Sequence, residues 1–273
     1  IMKSMFSIKG NSGCNIEILN DKVIKYATDK KYNHRLKEQH DKQKSFSNSI
    51  FKTPTIYDEG YKNDNYYFLM EFIPYKTFDK IFNGADKRTL DFISSKLINF
   101  IDLNQSKHEL IDRSVILNKF EDTKNKIRVL KNIDFSYLNS LFYSLDTTLS
   151  IPTSYCHGDL TFSNMLFDKE DVVLLDFLDT FLDSPLQDIV KLRQDTKYFW
   201  SLNMITHKFD TVKLKQCLSY IDKIITKEFS KYDYYNNYYN MFQVLNLMRI
   251  IPYCSNEKHV KFLREGIDKL CQH

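Results

Sequence analysis

The sequence predicts an α+β protein, with a small antiparallel β lobe carrying one helix over residues 1–73 and a larger, mostly helical lobe over 74–273. Three observations carry this reading. Up to Phe72, apolar and polar side chains alternate in short runs separated by turn residues, the period of half-buried strands. After Pro74, apolar residues recur every three to four positions, the period of helices. No internal repeat and no linker long enough to separate independent domains lies between the two parts.

In chain order, Met5–Lys9 reads as a strand, Gly10-Asn-Ser-Gly13 as a hairpin turn and Ile16–Leu19 as the return strand. Asn20-Asp21 turns the chain into Val23–Tyr26. Residues 31–46 hold neither Gly nor Pro and read as a polar helix. Pro54 opens a strand at Thr55–Tyr57, and Tyr66–Phe72 makes a further one. Leu90, Ile93, Leu97, Phe100 and Ile101 place a helix over 87–104, and 116–145 reads as one or two more. A short strand pair then interrupts, Met165–Phe167 and Val172–Leu175, joined by the acidic turn Asp168–Asp171. From Pro185 onward the pattern is helical.

Composition narrows the function classes. Hydrophobic residues make up 42% and charged residues 27%, the balance of a globular protein with a sizeable core. Only six glycines and two alanines occur beside 32 lysines, a skew attributed to AT-rich coding; it excludes collagen-like and low-complexity classes. The net charge is +4, but the lysines are spread along the whole chain, so no basic block points to nucleic acid. Apolar runs such as Val172–Leu175 fall far short of the roughly eighteen residues of a spanning helix, and no membrane insertion is expected. The N-terminal residues lack the apolar core and cleavage site of a secretory leader. Five scattered cysteines without a C-x-x-C pair argue against disulfides and zinc and for a reducing cytoplasm, and the seven histidines show no metal-ligand spacing.

The segment richest in chemistry is Cys156-His157-Gly158-Asp159-Leu160-Thr161-Phe162-Ser163-Asn164, followed by Leu174-Leu175-Asp176-Phe177. Asp159 and Asn164 lie five residues apart on a loop, and Asp176 follows twelve residues later behind a hairpin. Asn164 and Asp176 can hold Mg²⁺ against nucleotide phosphates while Asp159 accepts the proton of an attacking hydroxyl. Magnesium takes few protein oxygens beside phosphates and water, so one amide and one carboxylate suffice. Gly158 lets the loop turn without a Cβ in the way.

His157-Gly158-Asp159-x4-Asn164 with Asp176-Phe177 resembles the catalytic core of the aminoglycoside phosphotransferase/choline kinase family, whose members share a bilobal protein-kinase-like fold. The resemblance implies ATP and Mg²⁺ as cofactors, with Asp159, Asn164, Asp176 and His157 as the catalytic set and Asn164 and Asp176 as the metal ligands. Asp188 matches the family's structural brace for the catalytic loop. Gly10, Ser12 and Gly13 fall where the family covers the phosphates, and Lys25 fits the strand lysine that pairs with the α- and β-phosphates. Met70, Glu71 and Ile73 fit the hinge, the backbone of 71 and 73 facing adenine and Met70 flanking it. Glu38 matches the helix partner of Lys25 by its distance before Pro54. Yet the inward stripe of that helix reads Tyr32, Leu36, Gln39, Gln43 and Phe46, which turns Glu38 away. Either the helix packs differently or Gln39 supplies a neutral version of the role.

Two other chemistries account for fewer residues. Asp176-Phe-Leu-Asp179-Thr180 spaces its carboxylates three apart, where a phosphatase Asp-x-Asp-x-Thr has two. Cys156 and His157 are adjacent in an extended segment, so their side chains point apart and form no nucleophilic pair.

The twelve residues from Asp176 to Asp188 leave no room for a protein kinase's activation segment, and no A-P-E follows, so the expected acceptor is a small molecule. Residues 234–273 hold three acids against five Lys/Arg, a poor match for a polycationic aminoglycoside. Tyr232, Tyr234, Tyr235, Tyr238, Tyr239 and Trp200 could cage choline, although the helical spacing of Tyr235, Tyr238, Tyr239 and Phe242 reads better as core. The stretch from Asp176 through Lys197 is similar to kinases encoded with bacterial capsule or surface-polysaccharide genes, which implies a sugar or small polyol acceptor. The expected activity is therefore an ATP- and Mg²⁺-dependent phosphotransferase acting on a hydroxyl of a small metabolite. The alternatives are a choline/ethanolamine or aminoglycoside kinase, and a nucleotide-binding module without turnover.

Overall fold

In the computed structural model, which describes residues 6–9 (backbone), 13–105, 107–169 and 171–272, the chain opens with β1 (Phe6–Lys9), β2 (Cys14–Leu19) and β3 (Lys22–Ala27). A single 3-10 turn, Lys30–Tyr32, leads into α1 (Asn33–Ser45), followed by β4 (Ile56–Lys62), β5 (Asn65–Glu71), β6 (Lys76–Thr77) and α2 (Phe78–Asn83). Next come α3 (Lys87–Leu103), β7 (His108–Asp112), α4 (Arg113–Lys131), α5 (Asn139–Tyr143) and β8 (Thr148–Pro152). The hairpin β9 (Met165–Asp168) and β10 (Asp171–Leu174) precedes α6 (Pro185–Thr196), α7 (Thr211–Phe229), α8 (Asp233–Ile250) and α9 (Glu257–Cys271).

Backbone proximity divides the chain into two compact units, Ile1–Gly84 with His157–Asp179, and Ala85–Cys156 with Thr180–His273. This grouping differs from the expected division at residue 73 in two ways. The first unit extends to Gly84, and it includes the segment that carries Asp159 and Asp176. The cause is local pairing. β6 adds to the β9–β10 hairpin as a third strand, Lys76 opposite Phe167. The rings of Phe82 on α2, Phe162 and Phe167 then pack against one another, with centroids 5.1 to 6.4 Å apart.

The first unit holds a five-stranded antiparallel sheet in the order β1-β2-β3-β5-β4. Asn20, with φ 57°, supplies the left-handed residue of the β2–β3 turn. Strand alternation sends Val23 and Ala27, Tyr66, Phe68 and Met70 to one face, where Leu36 of α1 and Cys14 complete a buried cluster. Burying such a face is what makes this marginally small sheet stable. Lys52 ties the segment before β4 to β10, its N–H donating to Val172 O at 3.2 Å and its O accepting from Leu174 N at 2.8 Å.

The second unit is mostly helical. Residues Met241 to Met248 of α8 are all buried, so this helix is the core element against which α4, α6 and α9 pack. The expected helical stretch 116–145 breaks at Asn132, which takes φ 52° and caps α4. The β7–β8 pair is a further difference from the sequence reading. Each strand is five residues long, and only Leu149, Ile151 and Pro152 of β8 are buried, too little apolar alternation to stand out. No helix among the described residues is long and apolar enough to cross a membrane.

Candidate active site

The hairpin accounts for the spacing of the polar motif. Asn164 directly precedes β9 and Leu175-Asp176 directly follows β10, and Met165 pairs with Leu174. Leu175 N–H then donates to Asn164 O at 2.9 Å, so the open end of the hairpin brings positions 164 and 176 together. A 3-10 turn over Phe162–Asn164, with Asn164 N–H donating to Thr161 O, folds Asn164 back over Asp159. Its Nδ2 donates to both the main-chain O and Oδ2 of Asp159, each at 2.9 Å. That orientation leaves the Asn164 Oδ1, an acceptor, for another partner.

His157 is fully buried and clamps the loop from within. Its Nε2–H donates to Leu175 O at 2.8 Å, and its Nδ1 accepts the Asp159 N–H at 3.2 Å. Both nitrogens are engaged by the neutral tautomer, and burial pulls the ring down to a pKa of about 4. Gly158 between them takes φ 85°, a conformation that favours a residue without Cβ. The imidazole lies 4.3 Å from the Phe177 ring, which also lies 5.0 Å from the Phe46 ring.

Lys25 on β3 reaches this end of the hairpin. Its Nζ is 2.8 Å from Asp176 Oδ1 and 3.0 Å from Gln39 Oε1. Burial works against its charge, but the Asp176 carboxylate outweighs that and raises the ammonium above its ordinary value. Asp176 adopts φ 57°, uncommon for a non-glycine and tolerated by aspartate, which aims the carboxylate back at Lys25.

Of the residues expected at the site, Lys25, His157, Asp159, Asn164 and Asp176 are brought together. Gly10 and Ser12 lie outside the described residues. Gly13 directly precedes β2 with φ 79°, and a Cβ there would fall 2.8 Å from the Tyr32 ring. Met70 is buried in the sheet core, where Gln43 Nε2 approaches its sulfur at 3.7 Å. Glu71 ends β5 with its N–H donated to Thr55 O. Ile73 follows, half-buried.

Glu38 is not brought to Lys25. It pairs with His34 at 3.2 Å, one helical turn back, because the helix turns Leu36, Gln39, His40 and Gln43 inward. Gln39 therefore supplies the contact to Lys25, and its Nε2 donates to Tyr32 Oη at 3.2 Å. Lys42 is a residue that sequence reasoning missed. It sits three positions beyond Gln39 on the same face and donates to Leu178 O at 2.8 Å. Helical spacing from Gln39 was the available signal. α1 also joins β4 in a His40, Asp41 and Glu59 cluster that histidine spacing did not foretell. Lys37 and Lys44 ion-pair with its carboxylates, which makes it a charge network.

In the second unit, of the aromatic residues considered as a cage, Tyr235, Tyr239 and Trp200 are buried in packing, while Tyr232, Tyr234 and Tyr238 line a cavity beside His108. Tyr235 and Tyr239 stack at 4.9 Å, and the Arg193 guanidinium lies 4.5 Å from the centre of the Tyr239 ring. Arg193 is itself held by both oxygens of Asp222. Tyr232 stacks on Tyr234, and Trp200 meets His259 edge-on. Cys156 is buried, with its S–H directed to Asp183 Oδ1 at 3.3 Å.

A family described as "Phosphotransferase enzyme family" matches residues 21–204 of the chain. No curated protein matches it in sequence. Among solved structures, the streptomycin–ATP ternary complex of APH(2")-IIa is 14% identical with a TM-score of 0.61, over 100% of this chain and 92% of that one. An apo form of the aminoglycoside phosphotransferase APH(4)-Ia is 11% identical with a TM-score of 0.62, over 99% and 94%. A protein from Haemophilus somnus 129PT described as a fructosamine-3-kinase is 13% identical with a TM-score of 0.62, over 99% and 92%. At these identities the likeness is one of fold, the protein-kinase-like fold.

Proposed function

The chain belongs to the phosphotransferase enzyme family, and on that premise we propose that it moves the γ-phosphoryl group of ATP directly to a hydroxyl of a small metabolite, a sugar or polyol. The observation that carries this reading is the joining of Lys25 to Asp176 and of Asn164 to Asp159 at one end of the β9–β10 hairpin. Phosphoryl transfer requires a base at the acceptor, a cation at the phosphates and a metal-binding pair, and these four side chains supply that set.

Asp159 accepts the proton of the acceptor hydroxyl. Asn164 orients its carboxylate through Oδ2, and His157 holds its backbone through the Asp159 N–H. His157 is thus a positioning residue for the base. Lys25 carries the positive charge that meets the nucleotide phosphates. The donor set fits Mg²⁺: Asn164 offers an amide oxygen and Asp176 a carboxylate, both hard oxygen ligands. When bound there, the ion neutralises charge on the transferring phosphoryl group. The Glu71 carbonyl and the Ile73 N–H are the hinge groups offered to adenine, and Gly13 flanks the phosphates.

For the acceptor, the Arg193 guanidinium over Tyr239 argues against a quaternary ammonium held by that aromatic cluster. Asp268, one of the few C-terminal acids, already accepts from Tyr137 Oη at 2.7 Å, which argues against a polycation. Enzymes given as acting on sugar-derived substrates share the fold, which favours a sugar or polyol. A link to surface-polysaccharide metabolism rests on the segment after Asp176 alone.

The experiment is ADP release from Mg²⁺–ATP across sugars, polyols, amino alcohols and aminoglycosides, for wild type and Asp159→Asn in parallel. A positioned base contributes about 10²- to 10⁴-fold, so Asp159→Asn should lose at least 100-fold in kcat on the best acceptor while binding ATP normally. ATP binding by both proteins with no acceptor-stimulated ADP release that tells them apart would sink the transferase reading and leave a nucleotide-binding module. Selective turnover of choline or of an aminoglycoside would overturn the acceptor class.

A further inference from the structure

Among the described residues, Lys25 is a buried cation with one charged counterpart. Its side chain is 3% exposed, and a buried ammonium needs a paired charge. Among the described residues, the carboxylate it pairs with is Asp176. Its other partner, Gln39, is neutral. The amide is oriented by Tyr32, whose hydroxyl oxygen accepts from Gln39 Nε2, so the amide oxygen faces Lys25. Glu38, the neighbouring carboxylate on α1, is engaged with His34.

Asp176 therefore has two duties, as the charged partner of Lys25 among the described residues and as ligand of the metal. A divalent cation arriving alone competes with Lys25 for that carboxylate and places a like charge beside a buried ammonium. Nucleotide phosphates remove the conflict by giving Lys25 another anion. Metal and nucleotide then favour each other beyond direct coordination, and by the same factor in either order of binding.

We propose that Gln39, held by Tyr32, is the positioning residue that sets this coupling: by offering Lys25 no charge, it keeps Asp176 occupied until a nucleotide is present. The proposal rests on the reading of Asp176 as a metal ligand. A carboxylate at position 39 would neutralise Lys25 permanently, release Asp176 for metal, and weaken the attraction of Lys25 for phosphate.

The test uses Mn²⁺ as a paramagnetic probe, titrated into the full chain with and without a non-hydrolysable ATP analogue. In Gln39→Glu, Mn²⁺ alone should bind about 10-fold tighter than in wild type, about 1.4 kcal/mol. The metal-free analogue should bind about 10-fold weaker, and the ratio of Mn²⁺ affinities with and without analogue should shrink accordingly. Glu38→Gln should change neither. Mn²⁺ binding in Gln39→Glu within twofold of wild type overturns the proposal. Lys25→Met gives a second route that does not depend on the fold accepting a glutamate: with the ammonium gone, Mn²⁺ alone should bind tighter, and unchanged binding overturns the proposal equally. Failure of the underlying reading looks different. Asp176→Asn would then bind Mn²⁺ with the analogue as well as wild type does.

Discussion

Asp176→Asn should destabilise the protein as well as lower its turnover. Lys25 Nζ is 2.8 Å from Asp176 Oδ1, with side chains 3% and 41% exposed. Removing one partner of a buried ion pair costs about 3–5 kcal/mol, because the other charge is left in a medium of low polarity. Water reaches the Asp176 side, so the effect should fall at or below the low end, about 2–3 kcal/mol. Asparagine tolerates the left-handed conformation as aspartate does, so the φ of 57° adds no strain of its own. At about 2–4 °C per kcal/mol for a chain of this size, melting should fall by about 5–10 °C. The assay is urea and thermal unfolding of wild type, Asp176→Asn, Lys25→Met and the double variant, read as a double-mutant cycle. With the ammonium absent, losing the carboxylate should cost little, leaving a coupling of about 2 kcal/mol. A single variant within 0.5 kcal/mol of wild type, or a cycle that closes without coupling, refutes the reasoning.

His157 should make stability fall with acid. Its folded pKa is lowered to about 4 from an ordinary 6.5, so below 6.5 the unfolded chain takes up a proton that the folded protein refuses. Stability should fall progressively between pH 6.5 and 4, by up to about 3 kcal/mol. His157→Gln should flatten that part of the profile in urea unfolding, and an unchanged slope would count against it. At the glycines, Gly158→Ala meets φ 85° and should cost about 1–2 kcal/mol while displacing Asp159. Gly84→Ala has a φ of −102° and nothing within 4 Å of a Cβ, so its stability should change by no more than about 1 kcal/mol and its turnover should be unchanged. Equal loss of kcat/KM at the two positions, with both proteins folded, would contradict the placement of Gly158 in the catalytic loop.

Much of this was legible along the chain because the relevant physics is local. Alternation marked β2, β3 and β5 within one or two residues, since a half-buried strand must place every second side chain inward, and short apolar runs marked β9 and β10. The spacing of Asp159, Asn164 and Asp176 was readable because a short hairpin returns its two ends to the same place. β6, two residues long, and the β7–β8 pair left no periodic signal, since their pairing depends on partners remote in sequence. Glu38 shows the limit at a single residue: distance along the chain selected it, and the facing of α1 selected Gln39.

What the sequence determined by itself is the chemical inventory and its local geometry: an acid and an amide on a tight loop, an acid behind a hairpin, a lysine on a strand. Helical and strand periods act between near neighbours, and they need no knowledge of what packs on top. Only the tertiary structure decided which charge answers which. It set Lys25 between Asp176, 151 residues away, and an uncharged Gln39. Such pairings depend on the burial that isolates a charge from water, and burial belongs to the whole fold.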